Sequence, residues 1–316
     1  MPRIAECPAP VVNTASTAKW YEIDDTFTVT AIPNTCRELN IWSPVIPASP
    51  YQRVLDMAVA QAPGVWSVGR ETEHGNAMIH ARLSAGLPQE VTFRIRYLVE
   101  RIPVAHSLHT ACVRPLETPA LFDRSLRAEQ FVDVDDKTRI LAHKIVGAET
   151  NMLNQARQIY DYVVSTLTYD AAQQSWKGST EHALVCSVGN CNDIHALFIS
   201  LCRSLGIPAR LVLGQALEPP APGQESCELC GYHCWSEFFA PGLGWVPVDA
   251  SCACKYGTRG LFGNLELNHI AWSVGRDIQL QPTQQGEPIL FFAGPYAEAD
   301  GRPHLKIRRS VRFTEI

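Results

Sequence analysis

Three short segments hold residue types that together can do covalent chemistry at a carbonyl. Gly189-Asn190-Cys191-Asn192-Asp193 places a thiol at the head of an apolar-periodic stretch. Gly231-Tyr232-His233-Cys234-Trp235-Ser236-Glu237-Phe238 sets a histidine in an aromatic-rich extended run, and Gly244-Trp245-Val246-Pro247-Val248-Asp249-Ala250-Ser251 ends the next run in an aspartate. A thiolate can attack a carbonyl, an imidazole can take and return the proton, and a carboxylate can fix the imidazole tautomer and stabilise its cation. Cys191, His233 and Asp249 are therefore read as a Cys-His-Asp triad. The chemistry is acyl transfer at an amide, ester or thioester carbonyl through an acyl-thioester on Cys191. Water as acceptor makes a hydrolase, and an amine makes a transglutaminase or amide synthase.

Each group needs an element to hold it. A helix start carries partial positive charge and unpaired N–H donors, which favour a thiolate and can also hold an oxyanion. Cys191 opens a helix expected over about 191–205, with Ile194, Leu197, Phe198, Leu201 and Leu205 in one stripe, Gly206 as its stop and Pro208 beyond. Gly189 would let the chain turn tightly and a substrate approach. Strand alternation puts His233, Trp235, Glu237 and Phe239 on one face, expected to pack on that helix. The loop 240–244 is of hairpin size, so Asp249 at the end of the second arm should lie beside His233 at the start of the first. His195, one turn after Cys191 on the same face, is read as structural because nothing near it in sequence orients it. Asp193 would favour the first helical turn, and Glu237 would pair with Arg203 or Arg210.

Metal binding is the rival chemistry. Cys227 and Cys230 form a C-x2-C pair, and Cys252 and Cys254 follow about 25 residues later. Four thiolates could hold a zinc ion as a clip on the loop before His233. Against it, the second pair is C-x-C, and a zinc taken by His233 would disable the triad; the plainer reading is incidental thiols, with no cofactor.

The rest of the chain bounds these readings. With 316 residues and 46% hydrophobic content it can build one large or two ordinary domains. A net charge of −5 without a Lys/Arg block argues against nucleic acid, and no apolar run approaches the roughly 20 residues that span a bilayer. The first residues carry no charged and then apolar leader pattern, and the 11 cysteines are odd in number, so a reduced, cytoplasmic protein is expected. Residues 18–104 read as β, residues 105–135 lack periodicity, and residues 151–167 repeat Leu153, Ala156, Tyr160, Val163 and Leu167 at helical spacing.

The triad segments, with Leu-Phe-Ile-Ser-Leu-Cys-Arg-Ser-Leu-Gly-Ile-Pro-Ala-Arg at 197–210 and Val274-Gly275-Arg276-Asp277-Ile278, resemble the bacterial transglutaminase-like superfamily over about 136–295. The resemblance implies an α+β, papain-like core in which N-terminal helices pack on an antiparallel sheet, preceded by a small all-β domain. The expected division is a β-sandwich-like domain over 1–104, a connecting segment over 105–135 and the catalytic core over 136–316. It implies Cys191 as nucleophile, His233 as base and Asp249 as orienting acid. The oxyanion donors would be the Cys191 N–H and an upstream side chain, and Trp176 is the candidate for that role or for the wall of the acyl tunnel. Asn190, Asn192, Tyr232 and Trp235 complete the candidate pocket. The implied partners are a peptide, protein or small-molecule acyl donor, with an amine or water as acceptor. No acidic loop has calcium-ligand spacing. A non-catalytic interaction module on the same fold and a zinc-stabilised binding protein are the alternatives.

Overall fold

In the computed structural model, described for residues 17–84, 86–105, 108, 113, 115–172, 177–217, 226–228, 231–258 and 260–316, contacts divide the chain into two units. The described part of the first comprises residues 103–212 and 234–266, and the second comprises 17–102, 213–233 and 267–316.

The first unit is built around one helix. Its helices are α1 (Asp123–Leu126), α2 (Asp136–Val146), α3 (Met152–Thr166), α4 (Thr180–Cys186), α5 (Cys191–Ser204) and α6 (Ala250–Tyr256). All fourteen residues of α5 are buried, with α1, α2, α3, α4 and α6 packed against it. The single apolar stripe expected from sequence is thus part of a helix enclosed on every side. Its polar residues survive burial because each has a partner. The Ser204 hydroxyl donates to Thr138 Oγ1 at 2.9 Å, and Arg203 donates to the Ala209 carbonyl and pairs with Glu129 at 3.0 Å. The C-terminal stop is as expected: Gly206 adopts φ +75°, its N–H reaches the Arg203 carbonyl, and the Ile207 N–H reaches that of Cys202. In α3, Leu153, Ala156, Tyr160 and Val163 form the buried face, and Asn151 caps the start.

Three strands accompany these helices, in the order Gly244–Val248, His233–Ala240 and the first half of Ala209–Ala216. The first two form the hairpin expected from the 240–244 loop, with register Ser236↔Val248 to Ala240↔Gly244. The face reading needs correction. Cys234, Ser236 and Phe238 meet α5, through Asn192, His195 and Phe198 respectively. Phe239 instead packs at a tilt against Phe122, with centroids 4.4 Å apart, and meets Trp245 at 5.5 Å, while Glu237 accepts from Arg210 at 2.6 and 2.8 Å. This strand is buried on both faces, so its hydrophobic pattern carries no period-two signal to say which face meets the helix.

The second unit is a β-sandwich. One sheet runs in the order Cys227–Glu228, Ile307–Glu315, Lys19–Val29, Val91–Arg101, Gln52–Gln61. The other runs Arg302–Pro303, Tyr296–Ala299, Glu38–Pro44, Ala77–Ser84, Val65–Arg70. Alternate residues of both, among them Ile23, Phe27, Phe93 and Ile95 on one and Leu39, Ile41, Ile79 and Ala81 on the other, fill one buried core. The distal half of Ala209–Ala216 and the strand His269–Val274 also belong to this unit.

The division therefore differs from the contiguous one expected from sequence. Residues 267–316 supply strands to both sandwich sheets, with Ile307–Glu315 paired along Lys19–Val29 from Tyr21↔Glu315 to Val29↔Ile307. The segment after Ile102 is part of the helical unit: Val104–Ala105 pairs with Asn264–Leu265, and α1 packs on α5.

Candidate active site

Cys191 is the first residue of α5 and is buried. A reciprocal cap fixes it. Asn190 Oδ1 accepts from the Asn192 N–H at 2.9 Å, and Asp193 Oδ2 accepts from the Asn190 N–H at 3.2 Å. Asp193 Oδ1 also accepts from the Ser179 N–H at 2.9 Å, tying the start of α4 to that of α5. Gly189 has a more specific cause than a tight turn: a Cβ there would lie 2.6 Å from Asp193 Cβ. The glycine makes room for the carboxylate that holds the helix start.

Asp249 leaves the Gly244–Val248 strand and caps α6, accepting from the Cys252 N–H at 2.8 Å. The last ladder pair of the hairpin is Ser236↔Val248, so Asp249 lies just past the paired region. It is fully buried, and Ser251 Oγ donates to its Oδ1 at 2.9 Å. His195 approaches the same oxygen: Nε2 is 3.4 Å from Asp249 Oδ1 and 3.3 Å from Ser251 Oγ, while Nδ1 is 2.8 Å from Ser236 Oγ. His195 is held as a buried structural histidine, by partners none of which is near it in sequence. Its partners lie 41 and more residues away along the chain, where sequence inspection does not reach.

His233 is the first residue of its strand and is half-buried. Its ring meets that of His269 edge-on, with centroids 5.3 Å apart. His269 is itself buried, with Nδ1 2.8 Å from Asn268 Oδ1. Sequence reasoning missed His269, which stands alone in an ordinary strand with no motif around it.

The candidate pocket residues fare differently from one another. The Asn190 side chain caps α5, and Asn192 Oδ1 accepts from the Cys234 thiol at 3.2 Å. Both amides thus serve the fold. Trp235 is fully buried, and Tyr232 is exposed, 6.4 Å from the Phe291 ring. Trp176 lies outside the described residues, as does Cys230 of the cysteine cluster. Cys227 pairs with Phe313 in the sandwich sheet, whereas Cys252 and Cys254 are on α6. Burial, then the Asp249 charge, pushes the Cys254 thiol up to about 11.

Residues 139–250, which include Cys191, His233 and Asp249, match the family model of the transglutaminase-like superfamily. An uncharacterised protein of Haemophilus influenzae is 26% identical over 337 aligned positions, covering 95% of this chain and 91% of that protein. Bacillus subtilis YebA, also uncharacterised, is 26% identical over 126 residues, covering 36% of this chain and 17% of YebA. Among solved structures, a candidate cysteine protease from Cytophaga hutchinsonii shares the fold, with a TM-score of 0.64 at 16% identity over 95% of this chain and 92% of that one.

Proposed function

Since the chain is a member of the transglutaminase-like superfamily through this core, we propose that it is a cysteine-dependent acyl-transfer enzyme acting through Cys191, His233 and Asp249. The observation that carries the reading is the placement of Cys191 as the first residue of a buried, reciprocally capped helix inside the family-matched segment.

The Cys191 thiol gives its proton to His233, and sulfur attacks the acyl carbonyl carbon. The tetrahedral oxyanion takes the Cys191 backbone N–H at the positive end of the α5 dipole. When the carbonyl re-forms, the C–N, C–O or C–S bond to the leaving group breaks, and the leaving group takes the proton from His233. Water or an amine then adds to the thioester, gives its proton to His233, and expels the sulfur, which recovers that proton. Asp249 holds the His233 tautomer and stabilises the imidazolium.

The acyl donor is a peptide, protein or small-molecule amide, ester or thioester, and the acceptor is water or a primary amine. Incubation with 4-nitrophenyl acetate tests this. The expected result is release of nitrophenol together with an acetyl adduct on the peptide containing Cys191 that hydroxylamine removes. Cys191→Ala should keep the fold and lose both. An adduct of equal yield in Cys191→Ala would refute the assignment.

A further inference from the structure

Behind Asp249 runs a line of buried polar groups for which the proposed reaction has no use. Ser236, His195, Ser251 and Asp249 are all fully buried. They come from three elements: the His233–Ala240 strand, α5 and the start of α6.

Their hydrogens can be assigned by elimination. Ser251 has one hydroxyl proton, and Oγ donates it to Asp249 Oδ1 at 2.9 Å. Toward His195 Nε2, 3.3 Å away, Ser251 Oγ must therefore accept, so Nε2 carries a proton. In the neutral imidazole Nδ1 is then an acceptor, and it takes the Ser236 hydroxyl at 2.8 Å. With His195 neutral, donation runs one way, from Ser236 to His195 to Ser251 to Asp249. His195 Nε2 itself lies 3.4 Å from Asp249 Oδ1, which also accepts from the Cys252 N–H at 2.8 Å. Several donors from two helices converge on one carboxylate oxygen. A buried carboxylate held in this way is constrained in rotation as well as in charge, and a fully satisfied network of this kind rigidifies what it touches.

We propose that His195 is a positioning residue: with Ser236 and Ser251 it holds the Asp249 carboxylate in the orientation that catalysis requires. This rests on the triad reading above. His195 touches neither substrate nor nucleophile in the mechanism and acts only through Asp249. It also explains why a histidine sits in the wall of a fully buried helix, where an apolar residue would pack at no desolvation cost.

The test pairs two substitutions of similar volume. His195→Leu fills the space without polar atoms, and His195→Gln keeps an N–H donor near the Nε2 position. The readouts are the thermal midpoint, kcat and KM for 4-nitrophenyl acetate, and the rate of Cys191 alkylation by iodoacetamide across pH. His195→Leu is expected to fold, to lower kcat by up to about 100-fold at unchanged KM, and to slow Cys191 alkylation near neutral pH. His195→Gln should restore most of both. Ser251→Ala, a small deletion that breaks the same line, should reproduce the loss and serves if the leucine variant does not fold. Wild-type kcat and alkylation in a folded His195→Leu or Ser251→Ala would overturn the proposal. A parallel His233→Ala separates the two failures: if it loses activity while the His195 and Ser251 variants keep it, only the positioning role falls. If it keeps activity too, the triad reading falls.

Discussion

At the residue scale, a carboxylate is tolerated in a core only when its charge is met by donors, and Asp249 meets that condition while also ending a strand and capping a helix. Its two duties can be separated. Asp249→Asn keeps an oxygen for the Cys252 N–H, so stability should change little in urea unfolding, while kcat falls, by up to about 10⁴-fold if the triad works as in other such enzymes. Asp249→Ala should cost activity and also about 1–3 kcal/mol of stability, since the cap is lost and Ser251 keeps no acceptor there. An asparagine variant with full activity would mean that Asp249 is a structural cap and nothing more. Residue type, order and the expected hairpin made Cys191, His233 and Asp249 legible as candidates. The choice between Arg203 and Arg210 for Glu237 was not, since it depends on which arginine the fold encloses: Arg203 turns to Glu129, and Arg210 takes Glu237. The partners of His195 were hidden for the same reason.

At the element scale, the start of α5 depends on a side chain filling the space a glycine leaves. Gly189→Ala would drive a methyl group into Asp193 Cβ, so the capping pair must shift. The expected outcome is a loss of about 1–3 kcal/mol in urea unfolding together with slower Cys191 alkylation, because the thiol moves with the helix start. Unchanged stability and reactivity would show that the cap tolerates the methyl and that Asp193 is not what fixes Cys191. The C-terminal boundary of α5 was readable because a stop is local: Gly206 needs only its own neighbours, whereas Asn190, read as a pocket residue, caps the other end with Asp193. The strand bearing His233 was readable in extent but not in facing. Its residues are buried on both sides, so alternation gives no preference, and Phe239 packs against Phe122 rather than on α5.

At the scale of the whole molecule, the sandwich unit is assembled from distant parts of the chain. Ile307–Glu315 lies between Cys227–Glu228 and Lys19–Val29, and Arg309 reaches the buried Asp25 carboxylate at 2.8 and 2.9 Å. Removing residues 306–316 would uncover one edge of Lys19–Val29 and leave Asp25 buried without that guanidinium. The shortened chain should melt at lower temperature and aggregate, as an unpaired strand edge invites. A melting curve equal to that of the full chain would show that the sandwich does not need its last strand. This arrangement was not legible from sequence, where a β-rich stretch reads as a contiguous domain and nothing in 307–315 names its partner nearly 300 residues earlier.

The central claim is an activated thiol on Cys191, and the pH dependence of its alkylation by iodoacetamide, followed by peptide mass spectrometry in wild type and His233→Ala, tests it most directly. Other cysteines serve as internal controls. Burial raises the Cys36 thiol, and burial with the Asp249 charge holds Cys254 at about 11, so both stay protonated and slow at neutral pH. The account predicts that Cys191 reacts fast well below the value of about 8.5 at which a free thiol ionises, and that His233→Ala removes this advantage. A Cys191 that reacts like an ordinary thiol in both proteins would contradict it.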